Sequence, residues 1–328
     1  MRIVRKILLV LLVLVVLFFL LLIGGALTYK PSFEVRSIGV VDYDGYPCLK
    51  ISFRTGDYPI EFKLLTKEGE SIYFTFATKP EEVVYLYLTP GKPFTNIVGS
   101  KSYVIKAFYG DKEVYSGSFD VKGAKADLKI KDASFKAYYS SLSLEGLTIE
   151  VRNEGDVPLY LNWMNIGLYL DNLQKSFSLS PSTLTLEPGN ISTLGLEPVF
   201  SSVDLEYLNE EHRVDVVIPD IARASYIIEP LKPGLRIEKV SLSPFLNEWS
   251  VDSITLTISN GGKYPININW LKIYLNDKPI PGLLSISPIE IIKPGEEKTV
   301  TLGLSFVTTS RPFTLKVRLG ATEASYSG

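Results

Sequence analysis

The chain has little of what enzymes and disulfide-built domains are made from. Its 328 residues include one cysteine, Cys48, one histidine, His212, and two methionines. A single cysteine forms no internal bridge, so no disulfide framework holds this chain and hydrophobic cores must suffice. One histidine excludes a metal site of several imidazoles and a Ser-His-Asp relay present in two copies. Long apolar runs are nearly absent: there is one, at the N-terminus, and no long amphipathic helix follows it. Nor does one sign of charge dominate, with 34 Lys and Arg against 36 Asp and Glu. Setting aside Arg2, Arg5 and Lys6 leaves 31 basic against 36 acidic groups, which argues against nucleic acid as a partner because phosphate binding needs a basic surface. Scarce Met, Cys and His beside plentiful Ile, Val, Leu and Tyr suit a thermophile.

The one apolar run, Ile7 through Ile23, stands behind those three basic residues. Continued through Leu27 it reaches roughly 21 residues, close to the ~20 a helix needs to cross a hydrocarbon core. The spacing predicts a transmembrane signal-anchor helix over 7–27, with 1–6 cytoplasmic by the positive-inside rule and the remainder extracytoplasmic. The small residues Gly24, Gly25 and Ala26 leave signal cleavage as a second reading, although the run exceeds the ~7–15 residues usual for a signal core. A pilin leader does not fit, since Lys6 is followed directly by Ile7. Residues 28–32 reach at most ~18 Å, which places the first domain against the headgroups.

Two distant stretches repeat one another. Leu147 to Asn153, then Gly155, Pro158, Leu159, Leu161, Asn162 and Trp163, matches Ile254 to Asn260, then Gly262, Pro265, Ile266, Ile268, Asn269 and Trp270. Pro188-Gly189 and Pro294-Gly295 follow, each leading into Leu-Gly-Leu, so the domain is duplicated. The apolar residues Leu147, Ile149 and Val151 alternate with Thr148, Glu150 and Arg152, the period of a half-buried strand. By the same phase Trp163 and Trp270 are expected in the core, and Tyr160, Asn162, Asn267 and Asn269 outside it. The segments 153–156 and 260–263 read as hairpin turns. Val214, Val216 and Ile218, then Phe313, Leu315, Val317 and Leu319, close the two copies. The expected fold is all-β: the N-terminal helix, then three tandem immunoglobulin-like antiparallel β-sandwich domains over 31–122, 127–230 and 235–320. Residues 123–126 and 230–234 read as linkers.

The repeated segment resembles the LEA type-2 family, also called the water-stress and hypersensitive-response domain. The likeness rests on Asn153, Pro158-Leu159 and Tyr169-Leu170-Asp171, and on Asn260, Pro265-Ile266 and Tyr274-Leu275-Asn276. The family often has Asn-Pro at the turn, where this chain has Asn153-Glu154-Gly155 and Asn260-Gly261-Gly262. The resemblance implies an immunoglobulin-like sandwich without catalytic residues, linked to stress tolerance and, in some members, to lipid contact.

No residue set points to catalysis, a metal or a cofactor. His212 reads as a solvent-facing structural residue and Cys48 as a small buried or edge residue. Asp42-Tyr43-Asp44-Gly45 begins like a calcium loop, but the closing carboxylate falls on Phe53, which favours a turn. The repeat signature Asn153, Pro158, Trp163, Asn260, Pro265 and Trp270 reads as structural. Tyr73, Tyr85, Tyr87, Tyr103, Tyr109 and Tyr115 reflect strand preference or an adhesive, glycan-facing surface. Asn190-Ile191-Ser192 is a glycosylation sequon on an expected exposed turn. The leading expectation is a membrane-anchored, non-enzymatic envelope protein that binds or scaffolds another envelope protein or a surface polymer. The alternative is a carrier of lipid or a small apolar ligand, and a hydrolase is a distant third. An open cavity around the tryptophans favours the carrier, and close packing the scaffold.

Overall fold

The computed structural model describes residues 11–21, 30–78, 83–199, 202–204, 208–280, 290–304 and 307–328. Residues 11–21 are helical, and their side chains are 47–71% exposed. Among the described residues no helix is long and apolar enough to cross a membrane, and both ends of the span expected over 7–27 lie outside them. The rest is antiparallel β-structure in two compact units, Met1–Gly123 and Ala124–Gly328.

The first unit has seven strands: β1 Phe33–Tyr43, β2 Tyr46–Thr55, β3 Ile60–Thr66, β4 Ser71–Ala77, β5 Val83–Tyr87, β6 Lys101–Tyr109 and β7 Lys112–Val121. They form sheets β1-β2-β5 and β4-β3-β6-β7, the three-plus-four arrangement of an immunoglobulin-like sandwich. Leu49, Ile51 and Phe53 of β2 face Ile60, Phe62 and Leu64 of β3 across the core, all 0% exposed. Asp44 and Gly45 turn the β1–β2 hairpin with φ of 53° and 79°. A side chain at Gly45 would meet the Phe94 ring at 2.7 Å.

The second unit contains one topology twice. The first copy comprises β8 Ala126–Ala137, β9 Ser141–Asn153, β10 Leu159–Asn162, β11 Gly167–Leu170, β12 Leu173–Lys175, β13 Phe177–Ser180, β14 Thr183–Leu186, β15 Ile191–Pro198, β16 Ser202–Asp204, β17 His212–Ile218 and β18 Ala222–Ile228. The second comprises β19 Pro233–Phe245, β20 Glu248–Asn260, β21 Ile266–Asn267, β22 Lys272–Leu275, β23 Lys278–Pro279, β24 Ile291–Ile292, β25 Glu297–Gly303, β26 Thr308–Thr309, β27 Thr314–Leu319 and β28 Thr322–Ser327. Sheet β12-β11-β17-β18 corresponds to β23-β22-β27-β28, pair β10-β14 to β21-β24, and β8-β9-β15 to β19-β20-β25.

Two expectations are corrected here. Residues 153–156 and 260–263 are not hairpin turns: β9 and β10 lie in different sheets, as do β20 and β21, so these segments cross between sheets. Tyr160, Asn162 and Asn267 are buried rather than outward, at 0%, 4% and 1% exposure. Short β10 and β21 are covered on both faces, and the asparagines tolerate this because their side chains bond backbone groups. Asn162 Oδ1 accepts from Met164 N and Asn165 N at 2.9 and 3.1 Å, and Asn267 Oδ1 accepts from Asn269 N at 3.0 Å.

The two copies pack against one another. A single hydrophobic core runs from Leu128 to Leu319 through both, with Leu231 of the expected linker inside it. Across their junction Trp270 Nε1 donates to Tyr138 O at 2.8 Å and Asn267 Nδ2 to the same oxygen at 3.1 Å. The Tyr264 ring meets Phe135 edge-on at 4.7 Å, and its hydroxyl accepts from Glu229 N at 3.0 Å. The region 124–328 is one packed body.

Candidate functional site

The signature asparagines make the same three hydrogen bonds at matching positions of the two copies. Asn153, 0% exposed, donates from Nδ2 to Val157 O and Leu186 O at 2.8 Å each, and its Oδ1 accepts from Gly155 N at 2.9 Å. Asn260, 2% exposed, donates to Tyr264 O and Ile292 O at 2.8 and 3.0 Å and accepts from Gly262 N at 3.0 Å. One amide thus closes the crossover turn and ties it to β14 or β24. Gly189 and Gly295, at φ 83° and 77°, donate their N–H groups to the backbone oxygens of the same two asparagines. Pro158 is buried and Pro265 half-buried beside these turns. These are framework contacts: both Nδ2 hydrogens of each asparagine go to backbone carbonyls, and the side chains are buried away from solvent.

The two tryptophans part company. Trp270 is 3% exposed, in a short 3-10 turn Ile268–Trp270. Trp163, expected in the core, is 69% exposed, and Met164 beside it 60%. Counting from both sides explains the difference. Pro158 to Tyr169 holds two more residues than Pro265 to Tyr274. The extra length extends β10 and throws Trp163 and Met164 into an external turn capped by Asn162. A groove of about 450 Å³ lies there, lined by Trp163, Ile166, Gln174, Lys175, Ser176 and Phe177, and Leu173 on the adjoining strand is 65% exposed. A second cavity, about 260 Å³, lies at the junction of the copies between Asn209, Leu231, Trp270 and the outward Lys272, Tyr274 and Arg318.

The remaining candidates take structural places. His212 is 8% exposed, contrary to the solvent-facing expectation, with Nδ1 2.7 Å from Asp171 Oδ2. Burial raises the Asp171 carboxyl, but the hydrogen bonds from Arg213 N and His212 outweigh it and hold the group below its ordinary range. Cys48 is fully buried; burial first, and Asp42 second, push its thiol up to about 12, so it is no thiolate nucleophile. The tyrosines of the first unit cluster beside it: Tyr43 stacks on Tyr85 at 4.1 Å, and Tyr87 meets Tyr46 and Tyr73 at 5.0 and 4.9 Å. Tyr103 is buried, Tyr115 packs on Phe33 at 6.0 Å, and Tyr109 ends β6. Asn190 sits on an exposed turn. Among the described residues no group of three or more His, Cys, Asp and Glu could hold a metal.

Sequence reasoning missed the Asp215 cluster. Its side chain, 1% exposed on the outer face of β17, accepts from Arg213 Nε at 2.9 Å and from Arg223 and Ser225. Burial raises this carboxyl, yet those bonds outweigh it and hold it at about 2. The signal available was the i, i+2 pair Arg213 and Asp215 on a strand, which shares a face by period. Glu229 was missed as well: hydrogen bonds from Lys263 and Lys232 bring it to about 2. In each cluster two cations converge on one carboxylate, Arg213 and Arg223 on Asp215 and Lys232 and Lys263 on Glu229, which is the arrangement of a surface brace.

No family model matches the chain, and no curated protein sequence does. Among solved structures it is similar to trypsin-activated alpha-2-macroglobulin from Escherichia coli, at 12% identity and a TM-score of 0.20, over 91% of this chain and 23% of that one. A two-domain fibronectin type III segment from chicken tenascin aligns at 9% identity and a TM-score of 0.25, over 60% of this chain and 99% of that one. The E. coli chaperone DraB aligns at 14% and 0.21, over 62% and 96%. The chain thus spans under a quarter of the macroglobulin, and scores this low carry nothing about activity.

Proposed function

We propose that the chain is a single-pass membrane protein, anchored by residues 7–27, whose extracytoplasmic β-domains bind or scaffold another envelope protein or a surface polymer without catalysis. The observation that carries this reading is the filled interior of the paired sandwiches. Ile149, Val151, Leu159, Leu161, Leu194, Ile254, Leu256, Ile258, Leu315 and Val317 are all 0% exposed, and Trp270, 3% exposed with its N–H bonded, borders the junction cavity of about 260 Å³, whose polar lining of Asn209, Lys272 and Arg318 does not suit an apolar cargo. A carrier needs a void between its sheets. Here the tryptophan left uncovered is on the outside, at the Trp163 groove, as a presenting surface requires. Arg2, Arg5 and Lys6 ahead of the apolar run support the orientation, and exposed Asn190 is then available for glycosylation. The likeness to LEA type-2 domains belongs to the same proposal, as a non-catalytic sandwich.

Native mass spectrometry of the full chain released from detergent micelles tests it. The scaffold reading expects the bare mass, or a multiple of it, from the folded protein. A stoichiometric lipid-sized excess that survives micelle removal and disappears on unfolding would replace it with the carrier reading. Trp163→Ala separates the two further, since it removes an exposed ring from a scaffold and leaves an internal cargo untouched.

A further inference from the structure

The outer face of sheet β4-β3-β6-β7 carries an exposed aromatic pair on its edge strand. Phe74 and Phe76 are 59% and 49% exposed, with ring centroids 6.2 Å apart. Two large apolar side chains left uncovered on an edge strand invite a partner. Their position along the sheet says which one. Phe76 and Phe108 both pair with Glu61, the second residue of β3. The chain arriving from the N-terminus is pinned just before β3: Ser32 N donates to Asp57 Oδ2 at 2.9 Å, and Thr55 Oγ1 to Ser32 O at 2.6 Å. From Asp57 to Glu61 is four residues, at most ~14 Å, and from Leu27 to Ser32 five residues, at most ~18 Å. The aromatic edge therefore lies at the end of the unit that a tether this short holds against the bilayer.

We infer that Phe74 and Phe76, with the Phe108 rim, seat the first β-unit in the headgroup layer of the membrane that holds the anchor. This rests on the anchor reading. The lysines of the same face are matched by glutamates, Lys63 to Glu61 at 3.3 Å and Lys106 to Glu113 at 2.8 Å. Contact is thus by aromatic insertion rather than charge, and neutral lipid suffices.

The test uses the full chain with Phe76→Trp, reconstituted into phosphatidylcholine vesicles with and without brominated acyl chains, and compared with the unsubstituted chain. The expected result is substitution-specific emission that is blue-shifted and quenched by the brominated lipid, equally in low and high salt. Ser118→Trp, an exposed position toward the opposite end of the same sheet, should emit as in water and escape quenching. Phe74→Trp repeats the measurement one pleat away. Co-flotation of protein and vesicles with an unquenched, water-like signal at positions 74 and 76 overturns the aromatic seat and leaves the anchor standing. Failure to co-float overturns both.

Discussion

Replacing Asn260 by alanine isolates the device that both copies share. The change removes two hydrogen bonds to carbonyls and one from an amide, all at 2.8–3.0 Å and in a residue 2% exposed. Each such bond contributes ~0.5–1.5 kcal/mol net, and a carbonyl left buried and unpaired costs ~1–3 kcal/mol. The expected loss is roughly 3–5 kcal/mol, a large part of the ~5–15 kcal/mol that holds a domain folded. Urea unfolding followed by tryptophan emission reads it, because all three tryptophans, Trp163, Trp249 and Trp270, lie in the 124–328 unit. With a slope of ~2 kcal/mol per molar, the midpoint should fall by ~1.5–2.5 M and the slope should hold. Asn153→Ala should behave the same way. Asn260→Asp adds a sign: a carboxylate facing two carbonyl oxygens has its folded-state pKa raised, so the variant's stability is present below the unfolded carboxyl pKa and lost as pH rises through the folded one. A loss under ~1 kcal/mol for Asn260→Ala would refute the accounting, since it would mean that water or a neighbour already serves those carbonyls.

The same substitution at the two signature tryptophans should give unlike results: Trp270→Phe loses the bond to Tyr138 O and ~1–2 kcal/mol, whereas Trp163→Phe stays within ~0.5 kcal/mol, both by urea melts. Because one core joins the copies, Trp270→Phe should still melt 124–328 in a single transition, and two resolved transitions would contradict the shared core. Glu229, lowered to about 2 by Lys263 and Lys232, contributes stability that is present above the ordinary glutamate value of 4.5 and lost as pH falls through about 2; Glu229→Gln should flatten that acid limb of a thermal-melt pH series. Cys48 should resist a thiol reagent at pH 8 in the folded chain and react only as the first unit opens, so labelling at the rate of a free thiol would contradict its burial.

Period-two alternation made the long strands legible, because β9 and β27 each bury one face and leave the other partly wet, and β17 and β20 do so apart from the buried Asp215 and Thr257. It failed at β10 and β21, where both faces are covered and Tyr160, Asn162 and Asn267 are internal despite their polar atoms. The duplication was legible from the Asn-to-Trp spacing, but spacing counted from one side concealed the two-residue excess before Tyr169 that turns Trp163 outward. Fusion of the copies had no sequence signal, since Trp270 reaches Tyr138 and Tyr264 reaches Phe135, each across ~130 residues, only after both sandwiches exist. The aromatic edge at Phe74 and Phe76 was written plainly in the sequence as an alternation with Thr75, yet that pattern alone does not tell the core face from the exposed one.

The most direct test of the anchored, outward-facing arrangement is protease treatment of intact cells making the full chain, followed by an alkaline wash of their membranes. The account predicts that the chain stays with the washed membranes in untreated cells, and that added protease removes the folded β-units from the cell exterior. Release of the intact chain by the alkaline wash, or full protection until the cells are broken, would contradict it.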